Sequence, residues 1–323
     1  MPTEKHVVPL PNGLKVYVER NVFDPAFDTA MLVNGALATT ASFGQTVQYL
    51  GERMNTICFD LPYAGQSRQH NPGCFILTKD DEAAILQYLV EHFAPSFLVS
   101  VSWGGVASLF ALARGCPSVR RAAICSFSPF LNDAMVDYVT RARDHIAAGE
   151  NLKAAQLLND TVGRYLPRIM KLYNYRYLTR LPRDEQDQVA FHVDQILSLQ
   201  PERYFSEFAN IGCELLFLNG ERDEYTTPAD VRQLGAHVAR AVRDGAGRRP
   251  LPRHRRPCAA RIHPCRVARF LLWRSVRRGR HRTCDRAGVH TRTDARAVVV
   301  TPSAAHRVRP AYPNSHPNEA GQP

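Results

Sequence analysis

The chain has 323 residues, a hydrophobic fraction of 45% and a formal charge of +11. That is enough apolar material for a sizeable core and too much for a disordered chain, while no run of about 18 apolar residues offers a membrane span. The opening Met1-Pro2-Thr3-Glu4-Lys5-His6 lacks a charged-then-apolar export signal, so the cytoplasm is expected; eight cysteines with no C-x-x-C pair argue against structural zinc or a disulfide scaffold, and no cofactor or metal is expected.

Residues 14–18 (LKVYV) alternate as a half-buried strand does. Residues 29–33 (TAMLV) form a short apolar run that ends in the turn pair Asn34-Gly35. Residues 56–59 (TICF) end at Asp60, and residues 97–101 (FLVSV) lead straight into Ser102-Trp103-Gly104-Gly105. Residues 122–127 and 214–219 complete the strands. Helical stretches lie between them, at 81–93 and 106–114 for example. Such alternation predicts an α/β fold: a mostly parallel sheet with helices on both faces.

From residue 131 to 208 the strand pattern stops, and 132–149, 152–165 and 183–199 have helical periodicity. Helices inserted between two late strands would cross the C-terminal end of the sheet, where open α/β folds bind ligands. They read either as a lid over a pocket or as a simple thickening of the domain. The expected organisation is a first core part at 1–130, a helical cap at 131–208 and a second core part at 209–236. An Arg/Pro-rich, irregular and disordered tail follows at 237–323.

The tail changes the meaning of the charge. Its 87 residues hold twenty Arg, no Lys and four acids, a net +16, which leaves −5 on residues 1–236. The overall positive charge therefore implies no acidic partner for the body. A dense arginine run can bind phosphates non-specifically. This one has no helical period, aromatic interleaving or zinc spacing, so no nucleic-acid partner is expected.

The chemistry concentrates where strands end. Ser100-Val101-Ser102-Trp103-Gly104 matches the nucleophile elbow G-x-S-x-G, with Ser100 in place of the first glycine. The turn is sharp, so the positions two before and two after Ser102 must be small. It would lift the Ser102 hydroxyl out of the sheet and set the Trp103 N–H beneath a reacting carbonyl. An ordinary strand–helix turn with a capping serine gives a similar string. The loop Asn34-Gly35-Ala36-Leu37 could supply the second oxyanion N–H, from Ala36, or be a plain turn. Asp60 opens a D-x-x-x-x-G-x-S loop that reads as structural. Asp223, just past the strand at 214–219, stands where the acid of a triad belongs; Glu224 is its rival, and a helix N-terminal turn is the alternative.

Taken together, several strings resemble one family. They are Leu32-Val33-Asn34-Gly35-Ala36, Ala38-Thr39-Thr40-Ala41-Ser42-Phe43, Phe59-Asp60-Leu61-Pro62, Ala64-Gly65-Gln66-Ser67-Arg68-Gln69-His70-Asn71-Pro72, Leu77-Thr78-Lys79-Asp80-Asp81-Glu82, Ser102-Trp103-Gly104-Gly105 and Asp223-Glu224-Tyr225-Thr226-Thr227. From about residue 8 to 236 the chain is similar to the rhamnosyltransferase family of 3-(3-hydroxyalkanoyloxy)alkanoate synthases, which serve rhamnolipid biosynthesis. The resemblance implies an α/β-hydrolase fold with a helical cap, and acyl carrier protein as the partner that delivers two 3-hydroxyacyl chains. It implies that Ser102 attacks the first thioester, that Ala36 and Trp103 N–H groups hold the oxyanion, and that a histidine activates the 3-hydroxyl of the second chain. Water competes with that hydroxyl, which favours a lid. A generic serine esterase or thioesterase would carry the same triad elements.

One element is missing. The resemblance implies a Gly-His-Phe-Leu-Asp string about 28 residues after the acid, which from Asp223 falls on Leu251, where no such string stands. His254 is the nearest histidine, but Arg253, Arg255 and Arg256 around it disfavour the protonated form a general base must pass through. His237, His263 and His281 are poorer candidates, and His70 and His192 read as ordinary body residues. A shifted reading frame accounts for the gap. Codons can be written for residues 242–258 that, after loss of the first nucleotide, encode FATVPDAGHFLDIEDR, with the histidine codon straddling Pro250 and Leu251. High-GC coding sequence read out of frame also yields Arg, Pro, Ala and His without Lys. The chain is therefore expected to be an impaired acyltransferase.

Overall fold

Strand β4 (Asn55–Asp60) is buried along its whole length, as a central strand covered on both faces must be. In the computed structural model, residues 3–73, 75–198, 200–220, 223–227, 229–234, 260–261 and 294–300 are described. Among them lies one sheet of order β1-β2-β4-β3-β5-β6-β7-β9-β8. Its strands are β1 (Glu4–Pro9), β2 (Lys15–Asn21), β3 (Thr29–Val33), β4, β5 (Phe97–Val101), β6 (Arg121–Cys125), β7 (Glu214–Gly220), β8 (Ala260–Arg261) and β9 (Asp294–Val300). The central run β4-β3-β5-β6-β7 is parallel. Both margins are antiparallel: β1 and β2 on one side, β9 and β8 on the other.

Helices α1 (Gly44–Leu50), α2 (Lys79–Phe93) and α3 (Gly104–Gly115) connect the first strands. Helix α2 starts at a capping box, in which the Thr78 hydroxyl accepts from the Asp81 N–H and the Asp81 carboxylate accepts from the Thr78 N–H. This satisfies two donors that a helix start leaves free. Two apolar clusters fill the two faces of the sheet. One gathers Leu86, Leu89, Leu98, Ile124 and Phe217, and the other Leu32, Leu50, Met54, Ala123 and Leu216.

Between β6 and β7 the chain runs through α4 (Asp133–Ala147), α5 (Asn151–Asp160), α6 (Arg168–Leu178), α7 (Arg183–Ser198) and α8 (Pro201–Phe208). Helix α8 belongs to the core layer, because Phe205 and Phe208 join the larger cluster and Phe208 packs on Phe110 of α3. Helices α4 to α7 attach to the core by polar contacts. Gln188 of α7 accepts from the Leu77 N–H and donates to its carbonyl, and Gln195 accepts from the Lys79 N–H. His192 Nε2 lies 2.8 Å from the Leu77 carbonyl and 3.4 Å from Glu82.

Of the segment read as an irregular tail, the described residues are the two strands β8 and β9; the rest, with Leu251 and His254, lies outside the described residues. Strand β9 turns the sheet antiparallel at the edge of β7. No described helix is long and apolar enough to cross a membrane.

Candidate active site

Strand β5 delivers Ser102 to the C-terminal end of the parallel strands, and the chain turns there into α3. Ser102 has φ +53°, a left-handed conformation that costs a non-glycine residue of order 1 kcal/mol or more and marks sites where geometry is imposed. The position before the turn, Ser100, is fully buried, and its hydroxyl finds no partner among the described residues. Only a small side chain fits there. The Ser102 N–H donates to the Cys125 carbonyl at 2.8 Å, and the Ser126 N–H donates likewise to Leu218. The ends of β5, β6 and β7 are thereby tied in sequence. Burial pushes the neighbouring Cys125 thiol up to about 12, so it offers no competing nucleophile at neutral pH.

The loop after β3 packs against this turn. A Cβ on Gly35 would stand 3.0 Å from Ser102 Cβ, and one on Gly104 would overlap the Asn34 carbonyl. Ala36 thus follows a residue in contact with the nucleophile turn. Its neighbour Leu37 has φ +56° and packs with Leu178 and Leu181 of the helical insertion. Asp60 sits below, 1% exposed, with one carboxylate oxygen accepting from the Thr40 N–H and the other from the Gln66 N–H. Burial raises its pKa while these bonds oppose the rise. Both oxygens hold backbone, which fits a structural role.

Asp223 caps the turn after β7. One oxygen accepts from the Tyr225 and Thr226 N–H groups, and the other from the Thr226 hydroxyl at 2.6 Å. Asn219, buried at the end of β7, anchors this turn. Its amide donates to the Phe127 and Thr226 carbonyls, and its oxygen accepts from the Phe127 N–H. Asn132, the cap of α4, donates to the Glu224 carbonyl. Sequence reasoning missed both asparagines. Asn219 carried a signal all the same: a polar residue closing an apolar strand must find buried partners.

A cavity of about 460 Å³ opens at Ser102. Trp103, Phe110, Leu131, Met135 and Ile196 form part of its mainly apolar wall, and Thr226 brings the Asp223 turn to its rim. Behind Trp103 stands a buried polar group: Lys79 Nζ lies 5.6 Å from the indole ring and pairs with Glu82 at 2.8 Å. Glu82 also accepts from the Tyr63 hydroxyl. The five described histidines, His6, His70, His92, His145 and His192, are all absent from the cavity wall. The structure therefore brings Ser102, Trp103, the Ala36 loop and the Asp223 turn to one end of the sheet, and no described histidine joins them.

The family described as the alpha/beta hydrolase family matches residues 30–319. The (R)-3-hydroxydecanoyl-ACP:CoA transacylase of Pseudomonas aeruginosa is 43% identical over 235 residues, which cover 73% of this chain and 78% of the relative. The transacylase of the same name from Pseudomonas putida is 42% identical over 241 residues, covering 75% of this chain and 82% of the relative. The chain belongs to the α/β-hydrolase family, in the acyltransferase branch of these transacylases. The lengths matched in this branch are close to the 236 residues that precede the arginine-rich tail. Among solved structures, an α/β hydrolase from Sphaerobacter thermophilus superposes with a TM-score of 0.56 at 20% identity, covering 83% of this chain and 99% of its own. A hydrolase from Pseudomonas aeruginosa gives 0.58 at 13% identity, with 72% and 86% covered. Both share the α/β-hydrolase fold.

Proposed function

We propose that this α/β hydrolase is built to take a 3-hydroxyacyl chain from acyl carrier protein onto Ser102 and pass it to the 3-hydroxyl of a second chain. The product is a 3-(3-hydroxyalkanoyloxy)alkanoate, the lipid precursor of rhamnolipids. The observation that carries the reading is the apolar cavity opening at Ser102 in its left-handed turn. Ser102 attacks the thioester carbonyl and the carrier thiol leaves. Ala36 and Trp103 N–H groups, which donate to no acceptor among the described residues, hold the oxyanion. Asp223 orients the general base. The apolar wall keeps water from the acyl-enzyme until the acceptor hydroxyl arrives. The reaction takes place in the cytoplasm, where the carrier protein is found.

The names of the relatives favour a second acceptor, the thiol of coenzyme A. Both acceptors use the same acyl-enzyme. Product analysis after incubation with 3-hydroxyacyl carrier protein, with and without coenzyme A, separates them. A dimeric ester supports the synthase, a coenzyme A thioester supports the transacylase, and free hydroxy acid as the sole product overturns both. The division into core, cap and tail, and the loss of the histidine by a frame shift, belong to the same proposal. Residual turnover in this chain is expected to be low, because loss of one triad member costs several orders of magnitude.

A further inference from the structure

Helix α6 buries only Leu178. Its inner side carries Tyr173, whose hydroxyl lies 2.9 Å from Thr39 Oγ1, and Tyr177, which stacks on Tyr173. Its outer side is apolar and open: Ile169 is 66% exposed, Leu172 42% and Tyr175 40%, with Tyr165 at 59% just before the helix. Spacings of three and four residues place Tyr165, Ile169 and Leu172 on one stripe. Cations surround it. Residues 161–182 contain Arg164, Arg168, Lys171, Arg176 and Arg180 and no acid. The side chains of Arg168, Lys171, Arg176 and Arg180 form no ion pair among the described residues. This stands out in a body whose net charge is −5.

We propose that the outer side of α6 is the docking surface for the acyl carrier protein. The inference rests on the acyltransferase reading above and assigns the partner a place. An acidic carrier matches the unpaired cations, and the exposed Ile169–Leu172 stripe supplies the apolar centre that a specific interface needs. The position also suits the chemistry. Tyr173 joins α6 to Thr39, three residues past Ala36, and Leu37 packs on Leu178. A carrier seated on α6 would rest beside the oxyanion loop, within reach of the cavity through its flexible thioester-bearing arm.

The test measures binding of 3-hydroxydecanoyl carrier protein to the full chain by fluorescence anisotropy, a readout independent of turnover. The docking claim and the product assay can therefore fail separately. The triple variant Arg168→Glu/Lys171→Glu/Arg176→Glu should bind at least tenfold more weakly and lose most of the salt dependence. Ile169→Ser should weaken binding with the salt dependence kept. Arg53→Glu, an exposed change at the opposite end of the sheet, should bind as the parent does. Unchanged affinity in the triple variant overturns the proposal, as does a full chain that binds no carrier. Loss of binding to phosphatidylglycerol vesicles, with carrier binding intact, would assign the surface to a membrane and also overturn it.

Discussion

Gly104 lies so close under Asn34 that a Cβ would overlap the Asn34 carbonyl. The first turn of α3 and the loop bearing Ala36 are therefore one packed unit, and the spacing of the two oxyanion donors depends on a missing side chain. Gly104→Ala must separate them. The expected cost is about 1–3 kcal/mol, as for overpacking in a tight interior, read as a lower urea midpoint. Any remaining transfer activity should fall further than the stability does. An alanine variant of parental stability would show that the loop yields freely.

Ser100 presents the opposite case. Its buried hydroxyl has no partner among the described residues, and such a group costs about 1–3 kcal/mol. Ser100→Ala keeps the small volume that the elbow requires and removes the orphan. The variant should match the parent or gain up to about 1 kcal/mol. Clear destabilisation in chemical denaturation would mean that the hydroxyl is engaged after all.

Asn219 holds three backbone groups on two segments, at Phe127 and Thr226. Asn219→Ala leaves buried polar groups unpaired, and the expected loss is about 2–4 kcal/mol. The Asp223 turn should open with it, visible as faster amide exchange at Tyr225 and Thr226. Protection equal to the parent at those amides would separate Asn219 from the acid turn.

Two buried groups in the helical insertion titrate with opposite sign. Burial pushes His192 down to about 4, against the pull of Glu82 and aided by Lys79. The unfolded histidine takes a proton near 6.5, so its contribution is complete above that pH and is lost as pH falls toward 4. Burial pushes Glu185 up to about 7, although it accepts from the Tyr177 hydroxyl. Its contribution is complete below the ordinary 4.5 and is lost as pH rises through 7. The two slopes oppose each other between about pH 4.5 and 6.5. Glu185→Gln keeps the acceptor and removes one slope. Relative to the parent, the variant should gain roughly 3 kcal/mol between pH 4.5 and 7, measured by urea unfolding at each pH. Parallel curves would refute the assignment.

The parallel strands were legible because each is a short apolar run between turn residues; β3 and β5 fall on the expected residues 29–33 and 97–101. Strand β1 was not, since five of its six residues are exposed and it carries no buried alternation. Helix α6 escaped for a related reason: apolar and charged residues occur all round it, so it has no face that a period can reveal. That irregularity is the property that makes its surface a docking candidate. At the site, Ser102 and Asp223 could be read from their places after strands. Asn219 and Asn132 could not, because their value lies in contacts between segments distant in sequence.

The last prediction concerns the histidine. Among the described residues none stands in the cavity, and His192 is held 2.8 Å from the Leu77 carbonyl on the attachment of α7. If a frame shift removed the general base, the coding DNA after the Asp223 codon contains Gly-His-Phe-Leu-Asp in another frame, at the place of Leu251. A chain made from that frame should transfer acyl groups at least ~10³-fold faster than the present one, since triad members act as a unit. Ser102→Ala should abolish the gain. In the present chain Ser102→Ala should cost far less, because the residual rate comes from binding and the oxyanion donors. Equal turnover in the two chains, or no such string in any frame, would refute the account and return attention to His254.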